Sequence, residues 1–154
     1  VGPFYCPRDQ VIYIDTAFFD QLKTQFGSSG GPLAQLYVVA HEWGHHIQNI
    51  TGIMNNLDLQ TTGPTSDGVR LELQADCFAG IWKHATYERG QLTETDFEDA
   101  LRAAAIVGDD FQQRRATGTI APEDWTHGSS QQRQHWLTTG FQQGEPGACD
   151  TFGS

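Results

Sequence analysis

The sequence predicts one α+β domain over residues 1–154, predominantly α-helical, with a short edge strand or small sheet. Most of the chain repeats apolar residues at intervals of three to four positions, which is the spacing of an amphipathic helix. Only one short run, residues 11–14, has the β-branched and aromatic composition of a strand. A chain of 154 residues that is 38% hydrophobic and 18% charged is long enough for one hydrophobic core and too short for two large ones.

The first half of the chain leads into one long helix. Its predicted elements are, in order, an irregular segment over 1–10, a strand over 11–14, a helix over 16–26, a glycine- and serine-rich link over 27–31 and a helix from about Pro32 to Ile50. Pro3 and Pro7 favour an irregular start, and Pro32 suits the first turn of a helix.

The second half of the chain is predicted to be helical with loops between. Its predicted elements are, in order, a loop over 53–68, a helix from about Val69 to Arg89, a helix from Thr95 to about Gly108 that resumes through Arg115, a loop over 116–125 and a last helix through about Phe141. Thr95 followed by Glu98 has the pattern of a capping box, and Ser129 followed by Gln132 has it again.

The long helix carries the pattern His41-Glu42-Trp43-Gly44-His45. On a helix, His41 and His45 lie one turn apart on one face, where two imidazoles can bind one zinc ion. Glu42 borders the same face and can take a proton from a water at the metal, as a metal-dependent peptidase requires. The alternative is a solvated helix that carries two histidines by accident, so a third ligand elsewhere in the chain would test the motif.

The next helix supplies a candidate third ligand. Glu72 and Asp76 are four residues apart and share a helix face with small neighbours such as Ala75. If this helix packs on the first, Glu72 completes a site of two histidines and one glutamate and leaves a fourth position for water. Asp76 can then accept a hydrogen bond from the far nitrogen of one ligand imidazole, although the sequence does not say which. The alternative is an acidic pair on a solvated face.

These motifs resemble a known family, the bacterial neutral zinc metallopeptidases, which are similar to the gluzincins. The resemblance covers nearly the whole chain and rests on residues 2–7, 12–15, 41–46, 72–80, 127–133 and 149–152. It implies a minimal gluzincin-like domain with one zinc ion held by His41, His45 and Glu72, and with Asp76 behind the metal. Trp43 stands where the family would have a smaller residue such as valine, but this is not a ligand position. The resemblance also implies a membrane helix upstream of this chain.

The segment from His127 to Arg133 resembles the His-Pro-x-x-x-x-Arg segment of the CAAX prenyl endopeptidases. By this resemblance His127 faces the metal and donates to the oxyanion, and Arg133 pairs with an acid near the site such as Asp76. The alternatives are a helix-entry histidine bonded to backbone and a solvated arginine. Tyr37 and Tyr87 are further candidate oxyanion donors, although each fits a core or surface position better.

The predicted strand has a candidate role in binding substrate. Gluzincin peptidases pair an extended substrate with an edge strand near the metal. The resemblance therefore assigns substrate binding to Ile12, Tyr13 and Ile14. The alternative is an ordinary buried strand.

The charge and the cysteines limit the partners and the compartment. A net charge of −10 with two lysines argues against nucleic-acid binding, which needs clustered basic residues. We expect an extracytoplasmic protein, secreted or anchored to the membrane only through an upstream segment that this chain lacks. In an oxidising compartment, three cysteines predict one disulfide and one leftover thiol. We favour Cys77–Cys149, with Cys6 pairing outside this chain; in a reducing cytoplasm all three would be free thiols.

The predicted function is that of a zinc-dependent endopeptidase acting on peptides or unfolded proteins, with Glu42 as general base. The ligand set favours Zn²⁺, although the same side chains accept other divalent metals. Two alternatives remain: a zinc-binding module that holds a partner with little turnover, and a hydrolase of non-peptide amides or esters. Glu42 argues against the first, because a structural zinc site needs no general base and prefers four protein ligands.

Overall fold

The computed structural model describes residues 2–24 and 31–153. Within these residues it contains six α-helices and a two-stranded antiparallel sheet, which confirms the predominantly helical α+β class. The elements are β1 (Phe4–Cys6), β2 (Val11–Tyr13), α1 (Ala17–Thr24), α2 (Pro32–Ile50), α3 (Asp67–Glu88), α4 (Glu94–Ile106), α5 (Asp109–Thr117) and α6 (Ser130–Gln143), with 3-10 turns at Pro122–Asp124 and Pro146–Cys149. None of the described helices is both long and apolar enough to cross a membrane.

The N-terminal residues form a hairpin, so the prediction of an irregular segment over 1–10 is wrong. Strand β1 pairs with β2 in the register Phe4 to Tyr13, and these two rings stack with centroids 4.9 Å apart. Three residues between two prolines are too few to show a strand period, and pairing with β2 is what defines this strand. The predicted helix over 16–26 is seen from Ala17 to Thr24; its end and residues 27–30 of the predicted link over 27–31 lie outside the described residues.

The predicted ends of α2 agree with the structure, whereas α3 starts earlier than expected. Helix α2 runs from Pro32 to Ile50, as the sequence predicts. Helix α3 starts at Asp67 rather than Val69, because the Ser66 side chain caps it by accepting a hydrogen bond from the Val69 N–H.

One of the two predicted capping boxes has the wrong register. Helix α4 is capped by Thr93, whose hydroxyl accepts from the Asp96 N–H while the Asp96 carboxylate accepts from the Thr93 N–H. The predicted start at Thr95 is therefore two residues late, since an aspartate performs the role expected of a glutamate. The box of Ser129 and Gln132 at the start of α6 is confirmed.

The helices pack closely where small residues meet. A Cβ atom added to Gly44 of α2 would lie 3.0 Å from the Cα of Ala75 of α3. Likewise, a Cβ added to Gly80 of α3 would lie 2.2 Å from the Leu137 carbonyl oxygen, and one added to Gly140 of α6 would lie 1.9 Å from the Cys77 carbonyl oxygen. The backbone of α3 therefore approaches both α2 and α6, which sets the histidines of α2 opposite the acids of α3.

A disulfide fixes the C-terminal segment to α3. Cys77 and Cys149 are bonded, as the sequence analysis favours, and the cross-link spans 72 residues of chain. The thiol of Cys6 is free in this chain, and its pairing with a segment outside the chain stays a prediction.

The fold also buries a lysine that the sequence did not single out. The side chain of Lys83 is fully buried on α3, and among the described residues its Nζ has no hydrogen-bond partner. Burial lowers the pKa of this amine from 10.5 to about 8, although the nearby charge of Asp96 opposes the change. A buried ammonium without a hydrogen-bond partner costs stability at neutral pH.

Replacing Lys83 by Met is therefore expected to raise the free energy of unfolding at pH 7 by about 1–4 kcal/mol. Between pH 8 and 10.5 the unfolded chain holds a proton that the folded chain has lost, so wild-type stability rises with pH in this window. The advantage of the methionine variant should shrink across the same window. Urea unfolding at several pH values measures both effects. The exposed Lys23→Met is the matched control, and equal behaviour of the two variants would contradict the account.

Candidate metal centre

Two imidazoles of α2 stand side by side in the interior. His41 and His45 are both buried, and their ring centroids lie 4.7 Å apart with the ring planes nearly perpendicular. The four-residue spacing on an unbroken helix produces this arrangement. Their Nε2 atoms are directed at the same acid of α3, as the distances to that acid show.

Glu72 of α3 joins the two imidazoles. Its Oε2 lies 3.0 Å from Nε2 of His41, and its Oε1 lies 3.3 Å from Nε2 of His45. The ligand atoms of the three side chains all lie within 4.8 Å of one another, so the group could hold a metal ion. Burial would raise the pKa of Glu72, but the charges and hydrogen bonds of the two histidines outweigh it and lower that pKa well below 4.5. The carboxylate is thus ionised, as a ligand must be.

The far nitrogen of His41 is held by Asp76. Nδ1 of His41 lies 2.8 Å from Oδ1 of Asp76, so the structure assigns the outer aspartate to this imidazole. Arg133 grips the same carboxylate, with Nε 2.8 Å from Oδ2 and Nη2 3.1 Å from Oδ1. The hydroxyl of Tyr37 also donates to Oδ1. The Tyr37 hydroxyl is therefore already used by Asp76. Arg133 pairs with Asp76, the acid that the resemblance suggested.

Charge pairing sets the protonation of this cluster. Burial would raise the pKa of Asp76, but Arg133 and His41 outweigh it and lower the pKa to about 2. Burial would lower the pKa of His41, but Asp76 and Glu72 outweigh it and raise the pKa to about 10. His41 is thus an imidazolium near neutral pH when no metal is bound. A metal must displace the proton on Nε2 to bind there.

The far nitrogen of His45 has a different support, which the sequence analysis missed. Nδ1 of His45 lies 2.8 Å from Oε1 of Gln48. The Gln48 amide donates to the Leu71 carbonyl at 2.8 Å and to Oε1 of Gln74 at 3.0 Å, and Gln74 donates to the carbonyl of Cys149 at 3.0 Å. The chain of hydrogen bonds that holds His45 therefore extends to the backbone of Cys149, one of the two disulfide cysteines. The available signal was that Gln48 lies on the ligand face of α2, one turn after His45.

The cluster opens on a cavity of about 710 Å³. Glu42 lines it beside the three candidate ligands, although the Glu42 residue is only 7% exposed. Its wall also carries apolar side chains, which are Phe4, Phe18, Val38 and Val107. The open side of the cluster thus faces a space large enough for part of a peptide, with a carboxylate next to it.

His127 lies at the rim of this cavity rather than among the candidate ligands. It lines the cavity, its side chain is 53% exposed, and its Nδ1 is 2.8 Å from Oγ1 of Thr126 and 3.5 Å from Oδ1 of Asp109. Its role at the oxyanion stays a prediction. Asp109 is a second residue that the sequence analysis missed, because its contacts join segments far apart in the chain. Tyr87 is 39% exposed and packs against Phe141, outside the cavity lining.

The hairpin reaches the cavity through its first strand. Phe4 and Tyr5 of β1 line the cavity, and the Tyr5 hydroxyl is 3.0 Å from Nδ1 of His46 on α2. The residues assigned to substrate binding, Ile12, Tyr13 and Ile14, are not among the lining residues. The sequence analysis chose β2, the strand with the stronger β composition. Packing on α2 instead places β1 beside the candidate metal ligands.

The donor set fits a catalytic zinc ion. Two neutral imidazole nitrogens and one carboxylate are the protein ligands of many hydrolytic zinc sites, which keep one position open. Both histidines have their other nitrogen held, as is usual for ligand histidines. The arrangement could thus hold one metal ion on three protein ligands, with the Glu42 carboxylate in the same cavity.

The comparisons agree with this class of site. The family model described as "Putative neutral zinc metallopeptidase" matches residues 1–152, and the chain belongs to this family. An uncharacterized protein of Mycobacterium tuberculosis is 52% identical over 162 residues, which covers 99% of this chain and 55% of the relative. The uncharacterized protein YpfJ of Escherichia coli is 46% identical over 158 residues, with the same coverage of both chains. The chain thus spans about half the length of these relatives. No solved structure matches it significantly.

Proposed function

We propose that this domain is a zinc-dependent endopeptidase that hydrolyses peptide bonds in peptides or unfolded proteins. The observation that carries the proposal is the convergence of His41, His45 and Glu72 beside Glu42 at a cavity of about 710 Å³. A purely structural zinc site would be closed by four protein ligands and would need no carboxylate on its open side. Membership of the family supports the same reaction class.

The chain's own residues account for the proton transfers. Zinc held by His41, His45 and Glu72 would supply a Lewis acid that activates water and polarises the scissile carbonyl. Glu42, at the open side, takes a proton from the attacking water and passes it to the leaving amine. Asp76 and Arg133 keep the His41 ring in the orientation in which Nε2 is directed into the site.

Substrate binding is proposed at the hairpin. An extended peptide can add to a sheet edge through main-chain hydrogen bonds. The cavity lining by Phe4 and Tyr5 supports a site at this sheet, with Ile12 and Tyr13 in the neighbouring strand β2 and Ile14 just after it. Apolar wall residues such as Phe18 and Val38 would then contact a side chain of the substrate.

We also propose that the protein works outside the cytoplasm, either secreted or attached to a membrane only through a part of the protein outside this chain. The Cys77–Cys149 disulfide supports this compartment, because structural disulfides persist in oxidising environments. The net charge of −10 supports the proposal that nucleic acids are not partners.

The test is digestion of a reduced, unfolded protein by the metal-free chain before and after one equivalent of zinc is restored. Cleavage that depends on zinc and stops on chelation is the expected result. A panel of small esters and non-peptide amides in the same assay separates peptide hydrolysis from the alternative chemistry. A chain that binds zinc tightly but cleaves none of the substrates would contradict the proposal and favour a module that holds a partner.

A further inference from the structure

The segment that carries His127 is tied to the start of α5 by one carboxylate. Oδ2 of Asp109 accepts hydrogen bonds from the backbone N–H groups of Thr126, His127 and Gly128, at 2.8, 2.6 and 2.9 Å. Asp109 in turn donates its own N–H to the Gly128 carbonyl at 2.8 Å. A single carboxylate thus uses three consecutive donors, and these backbone groups are not available to a substrate.

The same carboxylate and the Thr126 hydroxyl both face one nitrogen of the His127 ring. Oδ1 of Asp109 lies 3.5 Å from Nδ1 of His127, and Oγ1 of Thr126 lies 2.8 Å from the same nitrogen. In the described part of the chain, Nε2 of His127 has no hydrogen-bond partner, and the ring lines the cavity. One nitrogen is therefore held while the other is open to a ligand in the cavity.

Arg133 also lines the cavity, but its guanidinium is already hydrogen-bonded within the protein. Nε and Nη2 of Arg133 bind Asp76, and Nη1 donates to the Val107 carbonyl at 3.3 Å. The hydroxyl of Tyr37 also donates to Asp76.

The Tyr5 hydroxyl, which also lines the cavity, contacts Nδ1 of His46 and accepts from Asn49. Among the described ionisable donors that line the cavity, His127 is therefore the one whose free nitrogen remains available to a substrate oxygen.

The protonation state of His127 decides whether that nitrogen donates. With its proton on Nδ1, the nitrogen that faces Thr126 and Asp109, a neutral ring would have an acceptor at Nε2, whereas an imidazolium has a donor there. Asp109 of α5 raises the pKa of His127 above 6.5, and the charge of Glu72 on α3 acts in the same direction. Burial and the charge of Arg133 on α6 oppose them.

We infer that Asp109 is a positioning residue that holds His127 with Nε2–H directed to the carbonyl oxygen of the substrate, where negative charge develops during hydrolysis. This inference rests on the proposed peptidase function. It gives the acid at the start of α5 a role beyond capping a segment.

The test compares Asp109→Asn, His127→Gln and the double variant in the zinc-loaded chain. Asparagine keeps an oxygen for the backbone donors but loses the charge. Asp109→Asn is expected to lower kcat about 10²–10³-fold with little change in KM, and to shift the loss of activity with rising pH to lower pH. The double variant should be no slower than His127→Gln. The exposed Asp124→Asn is the matched control and should behave as wild type.

A second measurement separates this inference from the proposed function. Nuclear magnetic resonance of the His127 ring, titrated with pH in wild type and Asp109→Asn, reports its pKa without any substrate. A pKa that falls on removal of the carboxylate supports the positioning role, even if no substrate is cleaved and the proposed function fails. An unchanged His127 pKa and pH profile in Asp109→Asn, or full kcat in His127→Gln, would overturn the inference.

Discussion

Replacing Glu42 by Gln is expected to lower kcat for peptide hydrolysis by about 10²–10⁴-fold while zinc stays bound at one ion per chain. Glutamine has nearly the same size but cannot accept the proton of the attacking water. The candidate ligands His41, His45 and Glu72 are unchanged, so metal content should not fall. Digestion rates and zinc analysis on the same samples measure both quantities.

The control for this variant is Glu88→Gln at the exposed end of α3. It makes the same chemical change away from the cavity and should leave both rate and zinc content as in wild type. A Glu42→Gln chain that holds zinc and cleaves at the wild-type rate would mean that another group takes the proton.

Replacing Arg133 by Met is expected to lower the free energy of unfolding of the metal-free chain by about 3–5 kcal/mol. The variant leaves the fully buried carboxylate of Asp76 without its guanidinium partner. Because His41 is oriented by the same carboxylate, zinc affinity should also fall, by about 10–100-fold. Urea unfolding and zinc titration against a competing chelator check the two effects.

The pairing of Asp76 with Arg133 also makes the folding stability depend on pH. The pKa of Asp76 is about 2 in the folded chain against a usual 3.8, so its pairing stabilises the fold above about pH 4 and that contribution is lost as pH falls towards 2. In the Arg133→Met chain this acid-dependent loss should be smaller. The exposed Arg102→Met should stay within about 0.5 kcal/mol of wild type. Equal stability of the two arginine variants would contradict the account.

The ligand residues could be found in the sequence because local geometry alone sets their relation. His41 and His45 need only one turn of helix to share a face, and the same rule pairs Glu72 with Asp76. Glu42 follows from the same helix without any knowledge of the fold. The small residues Gly44 and Ala75 that let the two helices meet are visible in the sequence as well, although the crossing point is not.

The remaining parts of the site depend on contacts between distant segments. Gln48 reaches Gln74 across two helices, and Asp109 meets His127 across 18 residues of chain. Neither of these long-range contacts leaves a spacing signal, although the place of Gln48 one turn after His45 indicates its contact with that imidazole. Strand β1 was missed for a related reason, since three residues acquire a strand conformation only through their partner. The predicted starts of α3 and α4 are two residues too late, because Ser66 and Thr93 cap these helices before the apolar pattern begins.

The measurement that tests the metal centre most directly is zinc titration of the metal-free chain, compared between wild type, Glu72→Ala and the control Glu88→Ala. The account predicts one tightly bound zinc in wild type and in the control. Because loss of an outer-shell partner costs about 10–100-fold, loss of the carboxylate ligand should weaken binding by more than about 100-fold. A Glu72→Ala chain that binds zinc with wild-type affinity would contradict the assignment of the third ligand and with it the proposed site.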